Sequence, residues 1–145
     1  MHTYPTLEIF HVPDWDKHAA KYFEEDSKLG LLVLKTKGIG QDPNFRVIKG
    51  GYDFPCANYA ILNKKANILF DENYDWFYGD ADLPLEMAYK TDFHIKCSEE
   101  NMIIHNHKID ENRQEHEDGR EKYDPDFNFF EKKNGNISRE EGIEL

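Results

Sequence analysis

The sequence predicts an α+β fold, with one N-terminal helix packed on a mostly antiparallel β-sheet and a charged, partly flexible C-terminal extension. Three observations carry this. Apolar residues recur at helical spacing near the start of the chain; short β-branched or aromatic segments separated by Gly, Pro and Asn follow; and apolar periodicity collapses beyond Lys108. A β-sandwich decorated by one helix is the alternative the same pattern allows. With 145 residues, 39% of them hydrophobic and 14% aromatic, the chain can bury a substantial core. One globular domain over residues 1–108 and an acidic extension over 109–145 are expected.

Thr6-Leu7-Glu8-Ile9-Phe10-His11-Val12 reads as a strand. Asp14 then offers an N-cap, and Trp15, Ala19, Tyr22, Phe23 and Leu29 recur at helical spacing, predicting a helix over 14–29. Leu31-Leu32-Val33-Leu34 is a continuous apolar run and predicts a buried central strand, which a right-handed crossover would pair parallel with 6–12. Lys35 to Pro43 is a basic loop whose two glycines match no phosphate-binding pattern. Phe45–Lys49 alternates as a strand and closes at Gly50-Gly51; Tyr52–Pro55 reads as a loop held by its proline. Residues 58–62 and 66–70 flank Asn63-Lys64-Lys65 as a hairpin. The aromatic island 123–130 is expected to dock on the body, and 134–145 to be mobile and removable.

The net charge is −11, and it is unevenly placed. Residues 1–70 carry +1, whereas the sixteen residues 71–86 alone carry −6 with no Lys or Arg. Such a charge repels nucleic-acid phosphates and anionic membrane surfaces, so neither partner is expected. The acidic stretch also holds Tyr74, Trp76, Phe77 and Tyr78. Aromatics supply rigid contact area and carboxylates a field that selects cationic partners. Asp71, Glu72, Tyr74, Asp75, Trp76, Tyr78, Asp80 and Asp82 therefore form the candidate surface for a basic protein partner, as in an inhibitor or immunity-type protein. Aromatics pointing into the core of an ordinary acidic loop would give the same sequence.

Thr91–Cys97 alternates polar and apolar residues, Ser98-Glu99-Glu100-Asn101 suits a turn, and Met102–His107 returns. This predicts an antiparallel hairpin with Phe93, Ile95, Cys97, Met102 and Ile104 on its apolar face. Its other face carries Asp92, His94, Lys96, Ile103, His105 and His107, with His94 opposite His105 and Asp92 opposite His107. Asp92, His94, His105 and His107 are thus a candidate zinc set, able to activate a bound water. His105, His107 and Glu111 also space as HxHxxxE, which resembles the first metal motif of cupins over seven positions; no second histidine motif follows. A surface of polar histidines on a half-buried hairpin would look the same. No nucleophile elbow, Cys–His–Asn signature or isolated carboxylate pair is present, so no catalytic residue is singled out and a binding role is favoured over an enzymatic one. A third reading is an accessory domain whose acidity serves solubility.

Cys56 and Cys97 lack metal or redox spacing, no secretory leader pattern opens the chain, and no run of 18 apolar residues occurs. Free thiols in a cytoplasmic setting are the expectation.

Overall fold

The fold is arranged on both faces of the apolar run at 31–34. The computed structural model describes residues 8–39, 45–49, 52–75, 78–106, 120–135 and 137–141. Strand β2 spans Leu29–Ile39. Successive strand side chains point to opposite faces. Leu32 and Leu34 join a core with Trp15, Ala19, Tyr22 and Phe23 of helix α1, Trp15–Glu25. Leu31 and Val33 join a second core with Leu83 and Met87 of helix α2, Gly79–Lys90. A strand covered on both faces needs no polar positions, which is why the run is continuous.

Two sheets result. The first has four strands in the order β1-β6-β2-β5, where β1 is Glu8–His11, β5 is Ala60–Leu62 and β6 is His94–Asn106. The second has the order β4-β3-β7, with β3 at Phe45–Lys49, β4 at Tyr52–Pro55 and β7 at Ile137–Glu141. Helix α3, Arg120–Asn134, packs against α2. The α+β class and the helix-on-sheet packing expected from the sequence are what the structure has, with two further helices and a second sheet among the described residues. Among the described residues no helix is long and apolar enough to cross a membrane.

The expected hairpin over 91–107 does not form. β6 is one strand, parallel to β2 and antiparallel to β1. The polar tetrad at 98–101 builds an irregularity in the ladder instead of a turn. Val33 pairs with Cys97 and Lys35 with Asn101, so four steps on β6 face two on β2. Ser98 Oγ accepts the Lys35 N–H at 2.7 Å and donates to the Glu100 carbonyl at 2.9 Å. The Tyr22 hydroxyl of α1 donates to Glu100 at 3.0 Å and accepts the Glu99 N–H at 2.9 Å. β6 also lies between β1 and β2, so the expected parallel pairing of the first two strands is replaced by β2 with β6.

Other differences are local. Helix α1 stops at Glu25, short of the expected Leu29, which opens β2 instead. β2 runs on to Ile39 through what reads as a loop, and Tyr52–Pro55 pairs with β3. The hairpin over 58–70 is absent because Asn63 ends β5 and caps a single 3-10 turn, its side chain accepting the Lys65 N–H at 3.0 Å and donating to the Leu29 carbonyl at 2.9 Å. Residues 137–141, expected in a mobile tail, form β7 and pair with β3 from Phe45↔Glu141 to Lys49↔Ile137.

Helix α2 is the least legible element. Leu83 and Met87 serve the core beneath the first sheet, while Ala81 and Leu85 serve a third core with Val47, Cys56, Tyr78 and Phe130. Burial on two sides erases the amphipathic stripe by which helices are read. Pro84 adds a helix-breaking signal, because it removes the N–H that would bond the Asp80 carbonyl. That carbonyl accepts the Ala57 N–H at 2.7 Å, so the helix continues through the proline.

Candidate functional site

The acidic stretch divides into a half that turns inward and a half that stays outside. Asp71 lies before α2, and Asp82 and Glu86 lie one turn apart on it. Their carboxylate oxygens come within 4.8 Å of one another, a spacing suited to a cation. The ammonium of Lys133, from the last turn of α3, takes that position, at 2.7 Å from Asp71, 2.8 Å from Asp82 and 2.6 Å from Glu86. Three donors on one Nζ match three carboxylates. Asn134 donates to Asp82 at 2.8 Å and the Tyr74 hydroxyl donates to the same oxygen at 3.1 Å. Lys90 reaches Glu86 from solvent at 3.1 Å.

The electrostatic consequences follow from this packing. Lys133, helped by the N–H of Asn73, holds the Asp71 carboxyl down at about 2. Burial pushes Glu86 upward, but Lys133 and Lys90 outweigh it and leave it below the usual range. Lys133 is itself raised, since its three carboxylates outweigh the burial of its ammonium. Burial and the neighbouring Asp82 raise the Tyr74 phenol, which stays a donor. Three carboxylates and one ammonium, brought together by tertiary contact, thus satisfy one another's hydrogen bonds at the edge of the core.

Two aromatics of the stretch, Tyr74 and Tyr78, turn inward as well. Tyr78 is buried, with ring centroids 4.8 Å from Phe130 and 5.5 Å from Phe127. Tyr74 is half-buried and meets Phe129 edge-on at 4.9 Å. Asp80 is half-buried at the start of α2, and Trp76 lies outside the described residues. Of the seven expected contact residues that are described, only Glu72 and Asp75 are plainly exposed.

Beside them is a feature that sequence reading assigned to a strand. Leu69 is 78% exposed and Phe70 54%. The Phe70 ring passes the first residue of α2, 3.8 Å from where a Cβ on Gly79 would sit. Phe127, 36% exposed, contacts Tyr78, the residue before Gly79. Phe70 and Phe127 thus reach the same helix end from chain positions far apart, with Glu72 and Asp75 in the segment between Phe70 and α2. The aromatic island had signalled Phe127, but Leu69 and Phe70 carry no sequence mark that separates them from a buried strand.

The candidate zinc set is not assembled as expected. His94 and His105 lie eleven residues apart on the single strand β6, pairing with Leu29 and Gly38 of β2. Their partners are nine residues apart on β2, about 30 Å at ~3.3 Å per residue, so the convergence that a hairpin would create does not occur. Asp92 is exposed and pairs with Lys28 at 2.9 Å, which holds its carboxyl low. His107 lies outside the described residues.

Fold and site together define an α+β protein built round a doubly buried helix, with a lysine-centred carboxylate cluster fastening its C-terminal helix. Comparison with family models, curated proteins and solved structures returns no match, so the residues carry the functional argument alone.

Proposed function

We propose that this chain is an acidic binding module that docks on a basic surface of a protein partner through Leu69, Phe70, Glu72, Asp75 and Phe127. The observation that supports it is the exposure of Leu69 and Phe70, at 78% and 54%, next to the exposed carboxylates of Glu72 and Asp75. Among the described residues neither carboxylate takes part in an ion pair, unlike Asp71, Asp82 and Glu86. Exposed apolar side chains with carboxylates free of ion pairs beside them in the chain match the composition of a contact with a steering rim. The surrounding charge of −11 favours a cationic partner at long range.

The test is binding kinetics at two salt concentrations with a partner recovered by affinity capture. Glu72→Lys with Asp75→Lys lowers the on-rate and weakens its salt dependence, because charges nearest the contact steer most where screening acts beyond about 8 Å at physiological salt. Phe70→Ala raises the off-rate and costs on the order of 2 kcal/mol. A partner that binds the doubly reversed protein at an unchanged, salt-independent rate overturns the reading.

A further inference from the structure

We infer that helix α3 is a strap that holds residues 71–75 and Tyr78 in place, with Asp126 and Lys133 as its two fastenings. These residues are seven apart on α3, so at 3.6 residues per turn they share one face about 10 Å long. At one end, Asp126 is 2% exposed and its Oδ1 accepts the backbone N–H of Asp75 at 3.0 Å. At the other end Lys133 holds Asp71 at 2.7 Å while also gripping Asp82 and Glu86 of α2. Between the fastenings Phe130 packs on both Tyr74 and Tyr78, with centroids at 6.5 and 4.8 Å, and is itself buried.

The segment being held has little internal support. Residues 71–75 form no helix or strand, and their local bonds among the described residues are a side-chain turn from Asp71 to Asn73 and a 3.3 Å bond from the Tyr74 N–H to the Asp71 carbonyl. Backbone that does not satisfy its own polar groups takes its shape from what it packs against. Here that is α3, more than forty residues later in the chain.

The consequence for binding rests on the docking reading above: the strap fixes Asp75 and supplies Phe127, so the docking surface exists only while α3 is seated. The strap itself does not depend on that reading. Hydrogen exchange of the full chain tests it, comparing a peptide covering 71–75 with one covering 29–34 in the centre of the first sheet. Asp126→Ala and Lys133→Gln should each speed exchange in 71–75 at least tenfold more than in 29–34, where any rise reports only the loss of global stability. Asp126→Asn keeps a carbonyl oxygen at the acceptor position and should restore most of the protection. Unchanged exchange in 71–75 for both variants overturns the strap. So does an equal rise in both peptides, which would make α3 an inseparable part of the core. Exchange reads the strap without any partner, and the Glu72/Asp75 reversal reads docking without altering α3, so either can fail alone.

Discussion

The ammonium of Lys133 lies 2.8 Å from the carboxylate of Asp82, whose side chain is only 2% exposed. Lys133→Met leaves that carboxylate buried beside Asp71 and Glu86 with its cation gone. Breaking a buried pair from one side costs about 3–5 kcal/mol, and the remaining exposure of Lys133 places this case near the lower figure. Urea unfolding of the variant against the parent chain measures it. A loss below about 0.5 kcal/mol would mean that water already compensates the cluster.

The same pairs set the acid response. Asp71 falls from an ordinary 3.8 to about 2 on folding, and Glu86 falls below its ordinary 4.5. A carboxyl with a depressed folded value stabilises the fold fully above its unfolded value and loses that contribution as pH drops through the folded one. Stability should therefore decline from about pH 4.5 down to about pH 2. Lys133→Met should flatten that decline, which thermal melts across the window would reveal.

Gly30 gives a steric prediction. A Cβ there would sit 2.6 Å from Met87 Sδ and 2.7 Å from Phe93 Cβ. Gly30→Ala should cost about 1–3 kcal/mol, the range for overpacked cores. Shortening Met87 should not rescue it, because every residue except glycine carries the Cβ that Phe93 presents.

Strand β6 separates two registers. The hairpin expectation buries Ile104 and exposes Ile103; in the structure Ile103 is fully buried and Ile104 half-buried. Ile103→Ala should cost about 2–5 kcal/mol and Ile104→Ala clearly less. Denaturant midpoints with unchanged slopes would show it, and the reverse order would restore the hairpin.

Deleting residues 136–145 removes β7 and leaves one side of β3 without its partner. The loss should be on the order of 2 kcal/mol, at roughly 0.2–1 kcal/mol per cross-strand pair over the five pairs. A new unpaired edge should also promote self-association, visible by light scattering. A deletion without effect on melting would return this segment to the status of a removable tail.

What the sequence alone determined are features set by neighbours within a few residues. The amphipathic pattern from Trp15 to Phe23 marks α1, and the apolar run at 31–34 marks a strand covered on both faces. The load of six carboxylates within 71–86 is equally plain. Tertiary structure decided everything that depends on a distant partner. Ala57 rescues the carbonyl that Pro84 strands, so α2 forms where local signals predict a loop. Tyr22 and Lys35 turn an apparent hairpin bend into a strand irregularity, which separates His94 from His105. Lys133, forty-seven residues from Glu86, decides which carboxylates are buried as a cluster and which remain outside. Charge is a local property of a sequence, but its exposure is set by packing between segments that no local pattern connects.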